Sequence, residues 1–121
     1  MKVVFYQAKA GDGVRKKGMR RADTYFSTPE EAASEAISLK ARLDNLYENQ
    51  IQWDYEGQMT GDSKRLKILR GYLGGNRKSN PFYLEILSSE LSKCNPASPI
   101  IQKKLTKQDQ MVIDNVIKKF A

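Results

Sequence analysis

Twelve basic side chains in two stretches are the residues whose type and spacing could do chemistry. They are Lys9, Arg15, Lys16, Lys17, Arg20 and Arg21 near the start, and Lys64, Arg65, Lys67, Arg70, Arg77 and Lys78 in the middle. Each stretch carries glycines: Gly11, Gly13 and Gly18 in the first, Gly71, Gly74 and Gly75 in the second. A residue without a side chain lets backbone N–H groups approach an anion, and a Lys or Arg placed on a phosphate releases condensed counterions. The combination points to contact with a phosphate backbone. Residues 1–21 hold seven bases against Asp12, a balance of +6, and residues 63–78 hold six bases and no acid. Between them, residues 22–62 hold Lys40 and Arg42 against nine carboxylates, a balance of −7. The net charge of +7 therefore resolves into two basic blocks flanking an acidic one. A solvated surface or an electrostatic protein partner would use the same charges.

Other chemistry is poorly supplied. Histidine is absent from the 121 residues, which removes the commonest general base near neutrality and the commonest imidazole metal ligand. The one cysteine, Cys94, rules out an intramolecular disulfide and lacks a partner to activate it; on an apolar run it reads as a small buried hydrophobe. Gly11-Asp12-Gly13 matches neither the dinucleotide fingerprint nor the P-loop, and Gly71-Tyr72-Leu73-Gly74-Gly75-Asn76-Arg77-Lys78 lacks the Ser/Thr-led helix of a nucleotide-binding loop. Asp54, Glu56, Asp62 and Lys64 loosely imitate a magnesium nuclease motif, but that chemistry needs carboxylates converging on one ion. Their spacing instead suits a surface, with Asp62 as a helix cap. Tyr47 and Trp53 read as core, while Tyr6, Tyr25 and Tyr72 are candidate stacking aromatics. No catalytic residue, metal ligand or cofactor is assigned.

These side chains need elements to hold them. Val3-Val4-Phe5-Tyr6 makes residues 2–9 a strand, and alternation over Met19 to Phe26 suggests a second, giving a β-hairpin whose tip is the basic loop 11–18. Thr28-Pro29-Glu30-Glu31 has the spacing of a capped helix start, and Ala32, Ala36, Leu39, Leu43, Leu46, Tyr47 and Trp53 recur at helical steps, predicting a long helix that ends near Gly57. A second helix follows from Asp62 with Leu66, Leu69 and Leu73 inward and Gly74-Gly75 at its end, leaving Lys64, Lys67 and Gly71 on its outer face. Asn80-Pro81 opens a third with Tyr83, Leu84, Leu87, Leu91 and Cys94, closed by Asn95-Pro96. Residues 95–105 are a connector, with Ile100 and Ile101 as a candidate third strand. Thr106 and Asp109 cap a last helix with the stripe Val112, Ile113, Val116, Ile117 and Phe120.

The expected fold is thus α+β: an N-terminal antiparallel hairpin packed on a long helix, then about three shorter helices, in a single domain over 1–121. The start is too short for a signal-peptide core, and no apolar run approaches the ~20 residues that cross a bilayer, so the expected location is cytoplasmic. Residues 24–32, Thr24-Tyr25-Phe26-Ser27-Thr28-Pro29-Glu30-Glu31-Ala32, resemble the strand-to-helix junction of arm-type DNA-binding domains of phage integrases. Those domains carry a three-stranded sheet, and no functional residue is carried over from them. The expected function is a non-catalytic nucleic-acid-binding accessory protein. Its two basic segments, a hairpin loop and a helix-loop, would hold the phosphate backbone of DNA or RNA. The alternatives are a small inhibitor or adaptor, phage-encoded proteins among them, docking on a nucleic-acid-handling enzyme, and a histidine-free ribonuclease toxin using Lys, Arg, Tyr or carboxylates.

Overall fold

A computed structural model describes residues 3–15, 17–19, 24–57, 59–62, 64–78, 80–92, 96 and 105–120. Thr28 is extended, its hydroxyl accepts from the Glu31 N–H at 3.2 Å and donates to the Glu31 carboxylate at 2.9 Å, and Pro29 opens the helix. Helix α1 therefore starts where the spacing places it and runs Pro29–Leu46. It stops well before Gly57. Glu48 and Asn49 take left-handed φ of 53° and 60°, turning the chain into strand β3, Ile51–Asp54. Trp53 therefore packs against the core from a strand, not from a helical stripe.

The sheet is larger than the two strands expected. Strands β1 (Val3–Asp12), β2 (Lys17–Met19), β5 (Arg65–Leu73) and β6 (Phe82–Leu91) join β3 in the order β2-β1-β6-β5-β3, all antiparallel, and β4 (Thr60–Gly61) pairs separately with β5. The segments expected as second and third helices are thus β5 and β6. The chain has two helices among its described residues, α1 and α2 (Lys107–Phe120). Of the expected strand over 19–26, the described residues hold the last residue of β2 and a bridge between Tyr6 and Phe26, while residues 20–23 and the candidate strand near Ile100 lie outside the described residues.

A physical reason accounts for the misreading of β5. Strand alternation puts Leu66 on one face and Arg65 and Lys67 on the other, but the register slips by one between Lys67 and Leu69. This β-bulge adds a residue, sends both Ile68 and Leu69 into the core, and converts a two-residue repeat into Leu66, Leu69, Leu73, which has helical spacing. In β6, Leu84 and Ile86 are core while Leu87 belongs to the other face, so its leucines only mimic a stripe. Gly74 and Gly75, with φ of 62° and 75°, turn β5 into β6 and cap no helix. Asp62 caps none either: its carboxylate accepts the Lys64 and Arg65 N–H groups at 2.9 and 3.1 Å in a local turn.

Both helices cover one face. Ala8, Ala10, Leu66, Leu69, Leu84 and Ile86 of the sheet join Ala32, Ala36, Leu43, Val112 and Val116 in one buried cluster. Alanines on β1 and α1 let the two backbones approach closely, while Phe26 and Phe82, fully buried, each contribute about 1.5–3 kcal/mol of burial. A polar network ties α2 to α1. Lys40 lies 3.3 Å from Asp109 and 3.6 Å from Asp44, Tyr55 donates to Asp109, and Trp53 Nε1 donates to Asp44. Burial alone would push the Lys40 ammonium down; the Tyr55 hydrogen bond and the charges of Asp109 and Asp44 outweigh it and hold it above its ordinary value. The network's contribution is then present through neutral pH and fades only as pH rises past that raised value.

Thr106 caps α2 as its spacing predicts, its hydroxyl accepting from the Asp109 N–H at 3.0 Å. No helix among the described residues is long and apolar enough to cross a membrane. Thr28→Ala should destabilise the fold by about 1 kcal/mol, the usual worth of such a cap, while Thr28→Ser retains stability. Urea unfolding followed by circular dichroism checks this, with an unchanged slope showing that the unfolding unit is the same.

Candidate nucleic-acid interface

The pleat that buries one face of the sheet dictates what the other presents. On β1, Ala8 and Ala10 point to the helices, so Lys9 and Gly11 occupy the opposite face. Opposite them on β6 stand Glu85 and Tyr83. On β5 the same face carries Arg65 and Lys67 before the bulge, and Arg70 and Tyr72 after it, because Arg70 pairs with Tyr83 and Tyr72 with Gln52. Asp54 of β3, opposite Arg70, completes the row, and Arg77 of the β5–β6 turn folds over it. Among the described residues of these strands and this turn, five cations and two carboxylates therefore share this side.

Glu85 is the junction of the two basic stretches. Its side chain is 1% exposed, yet neither oxygen has a hydrogen-bond partner among the described residues. What compensates its charge is ionic: Lys9 Nζ at 3.9 Å from one oxygen and Arg65 Nε at 3.3 Å from the other, with Lys67 at the cross-strand position. One carboxylate is thus roofed by a cation from each block. Arg65 remains 60% exposed and Lys9 23%, so both cations still reach water. Such a pair adds little net stability, but it fixes where the cations sit.

The aromatics are placed by the same strands. Tyr83 lies against Gly11, where an added Cβ would fall 2.2 Å from two ring carbons. Lys67 Nζ stands 4.7 Å from the Tyr83 ring centre, and the Arg77 guanidinium 5.1 Å from that of Tyr72. Arg77 also meets Asp54 at 3.3 Å, and Arg70 donates to Thr60 Oγ1 at 2.9 Å. Between Lys67, Arg70, Tyr72 and Arg77 lies a hollow of about 150 Å³. A larger one, about 540 Å³, is lined by Lys9, Gly11, Asp12, Gly13, Gly18, Lys67, Asn80, Pro81 and Tyr83.

Because β1 and β6 are antiparallel, the β1–β2 tip and the β5–β6 turn lie side by side at one end of the sheet. Asp12 anchors the tip. Its buried carboxylate accepts the Val14 and Arg15 N–H groups at 2.9 Å and the Tyr47 hydroxyl at 2.7 Å. Burial, followed by that hydrogen bond and the Asp12 charge, pushes the Tyr47 phenol up.

Of the residues singled out by sequence, Lys9, Arg65, Lys67, Arg70 and Arg77 come together. Arg15 and Lys78 are exposed at the tip end, and Lys64 is exposed at the far end beside Ser88 and Glu90. Lys17 enters β2 through its backbone; its side chain, with Lys16, Arg20 and Arg21, lies outside the described residues. Gly71 faces the core beside Ile51 and Trp53, not outward with Lys67. Tyr6 packs edge-on against Phe120 on the helix side, Tyr72 stands on the basic face, and Tyr25 is half-buried next to the Phe26 bridge. The nuclease-like carboxylates separate into two local turns: Asp54 accepts from the Glu56 and Gly57 N–H groups, Asp62 from those of Lys64 and Arg65. Sequence reasoning missed Tyr83 and Glu85. The available signal was a lone acid between two apolar neighbours, Leu84-Glu85-Ile86, where only alternation lets all three find suitable surroundings.

Asp62 sets the position of Lys64 and Arg65, and the hydrogen bonds from their N–H groups hold its carboxyl below the usual value of 3.8. A depressed acid stabilises the folded form above its unfolded pKa, and the effect is lost as pH falls through the folded value. Carbon-detected NMR titration should therefore give Asp62 a midpoint under 3.8, with the Lys64 and Arg65 amide signals moving at that same midpoint. Asp62→Asn should abolish this shared transition.

Compared with protein-family models, with curated proteins and with solved structures, the chain matches none of them.

Proposed function

We propose that this chain is a non-catalytic nucleic-acid-binding accessory protein that holds a phosphate backbone across the face of its sheet opposite α1 and α2. The contacts are made by Lys9, Arg65, Lys67, Arg70 and Arg77, with Arg15 and Lys78 extending the basic surface at the tip end. The observation that supports this reading is the meeting of the two basic stretches at Glu85, to which Lys9 and Arg65 each reach. Cations separated by more than fifty residues in sequence thus form one electropositive surface. Among the described residues their side chains pair with the carboxylates of Glu85 and Asp54, while two carboxylates of α1 are engaged elsewhere: Glu31 in the cap and Asp44 with Lys40 and Trp53.

Two features favour binding over cleavage. Glu85 is the carboxylate central to the cluster, and at 1% exposure it lies beneath its own cations, out of reach of a substrate hydroxyl. The hydroxyls of Tyr47 and Tyr55, candidates for acid–base work, are committed to Asp12 and Asp109.

Binding to a labelled 20-mer, followed by anisotropy at several salt concentrations, tests the proposal. Affinity should be micromolar or tighter at low salt and fall steeply as salt rises. Lys67→Ala with Arg70→Ala should flatten the slope of log K against log salt by about 0.7–0.9 for each lost phosphate contact. Lys118→Ala with Lys119→Ala, exposed on α2, should change neither affinity nor slope. Absence of binding at low salt refutes the proposal, and RNA shortened during the incubation would mean that the chain is a nuclease.

A further inference from the structure

Resting on that reading, we infer that the nucleic acid taken by this face is single-stranded, DNA or RNA, and that the hollow against Tyr83 receives one of its bases. The breadth of the surface argues first. Cations on β1 and β5 lie on either side of β6 in the middle of a sheet that is five strands wide, about 19 Å at the usual strand spacing. A B-form major groove is about 12 Å wide and admits a helix or a two-stranded ribbon. The interior of a broad sheet meets a duplex only at its phosphate ridges, whereas a flexible single strand lies along it and turns its bases inward.

The second argument is the hollow itself. At about 540 Å³ it is within the range that small organic ligands fill. Gly11, Gly13 and Gly18 line it, and the lack of a side chain there lets the Tyr83 ring, the Asn80–Pro81 backbone and the Lys9 side chain close against the strand backbone as its walls. Its lining combines an aromatic ring, Tyr83, with two ammonium groups, Lys9 and Lys67. A ring for the base and cations for the flanking phosphates are the two parts of a single-strand site.

The third is repetition. Tyr72 is diagonal to Tyr83 across the β5–β6 pair, since Tyr83 stands opposite Arg70. Diagonal neighbours are about 7–8 Å apart, and each ring carries its own cation, Lys67 for Tyr83 and Arg77 for Tyr72. The planar Arg77 guanidinium over Tyr72 offers a second flat surface, on which bases stack as they do on aromatic rings. Two adjacent nucleotides thus find equivalent aromatic–cation pairs in register along the face.

The test compares single-stranded DNA, single-stranded RNA and duplex DNA of one sequence, at matched salt, against wild type, Tyr83→Leu and Tyr83→Phe. Leucine keeps bulk over Gly11 without a π-face, phenylalanine keeps both, and circular dichroism confirms that each variant is folded. Wild type should bind at least one of the single strands about tenfold or more tightly than the duplex. Tyr83→Leu should weaken that binding on the order of tenfold, with duplex affinity and salt slope unchanged, and Tyr83→Phe should restore it. Equal affinity for duplex and single strands, or equal weakening of both by Tyr83→Leu, overturns the inference while leaving phosphate binding intact. Absence of binding to all three removes the underlying proposal as well.

Discussion

Every strand of a β-sheet has two faces, and burying one against a helix assigns the residues between the buried positions to the other. That constraint organises this protein. Ala8 and Ala10 under α1 put Lys9 on the far side; Leu66 and Leu69 in the core put Lys67 and Arg70 there too; Leu84 and Ile86 leave Glu85 between them on the same side. At Lys9, Lys67 and Arg70 the basic surface is the complement of the hydrophobic core, while the same face buries Phe5, Gln7 and Glu85, and a one-residue slip in either strand pairing would drive charge into the apolar layer. The bulge between Lys67 and Leu69 shows how the chain uses this rule: by adding one residue it keeps Leu66, Leu69 and Leu73 facing inward and Arg70 and Tyr72 facing out.

Charge compensation follows from the same arrangement. Glu85 is a buried acid on a basic face, and removing it would leave Lys9 and Arg65 repelling each other across one strand. Buried ion pairs contribute little net stability because desolvation offsets the attraction, yet they fix geometry. Here the geometry fixed is that of Lys9, which lines the larger hollow, and of Arg65 across β6 from it. On the helix side, Lys40 plays the reverse role, a buried cation held by Asp44 and Asp109 that joins the two helices over the sheet. Within the acidic block, Asp44 holds Lys40 on the helix side, while Asp54 meets Arg77 on the basic side.

The hairpin ends are set by local chemistry with long-range anchors. Asp12 holds the β1–β2 tip through backbone N–H groups and is itself held by Tyr47, just beyond the end of α1. This ties the basic tip to the helix that covers the sheet. The neighbouring β5–β6 turn is placed by Gly74 and Gly75 in left-handed conformations and by Arg77 packed on Tyr72.

What the sequence determined by itself is local: the Thr28 and Thr106 caps, the first strand, the absence of histidine, and the two basic stretches with their glycines. Each depends on neighbours a few residues away, so composition and spacing specify it. The identity of β5 and β6 was not legible, because leucine packs in helices and strands alike, and a bulge turned a period of two into an imitation of a helical repeat. Whether the two basic stretches meet, which aromatics accompany them and which acid lies between them were decided by strand pairing. Pairing joins residues more than fifty positions apart, such as Lys9 to Glu85, and no single segment encodes it.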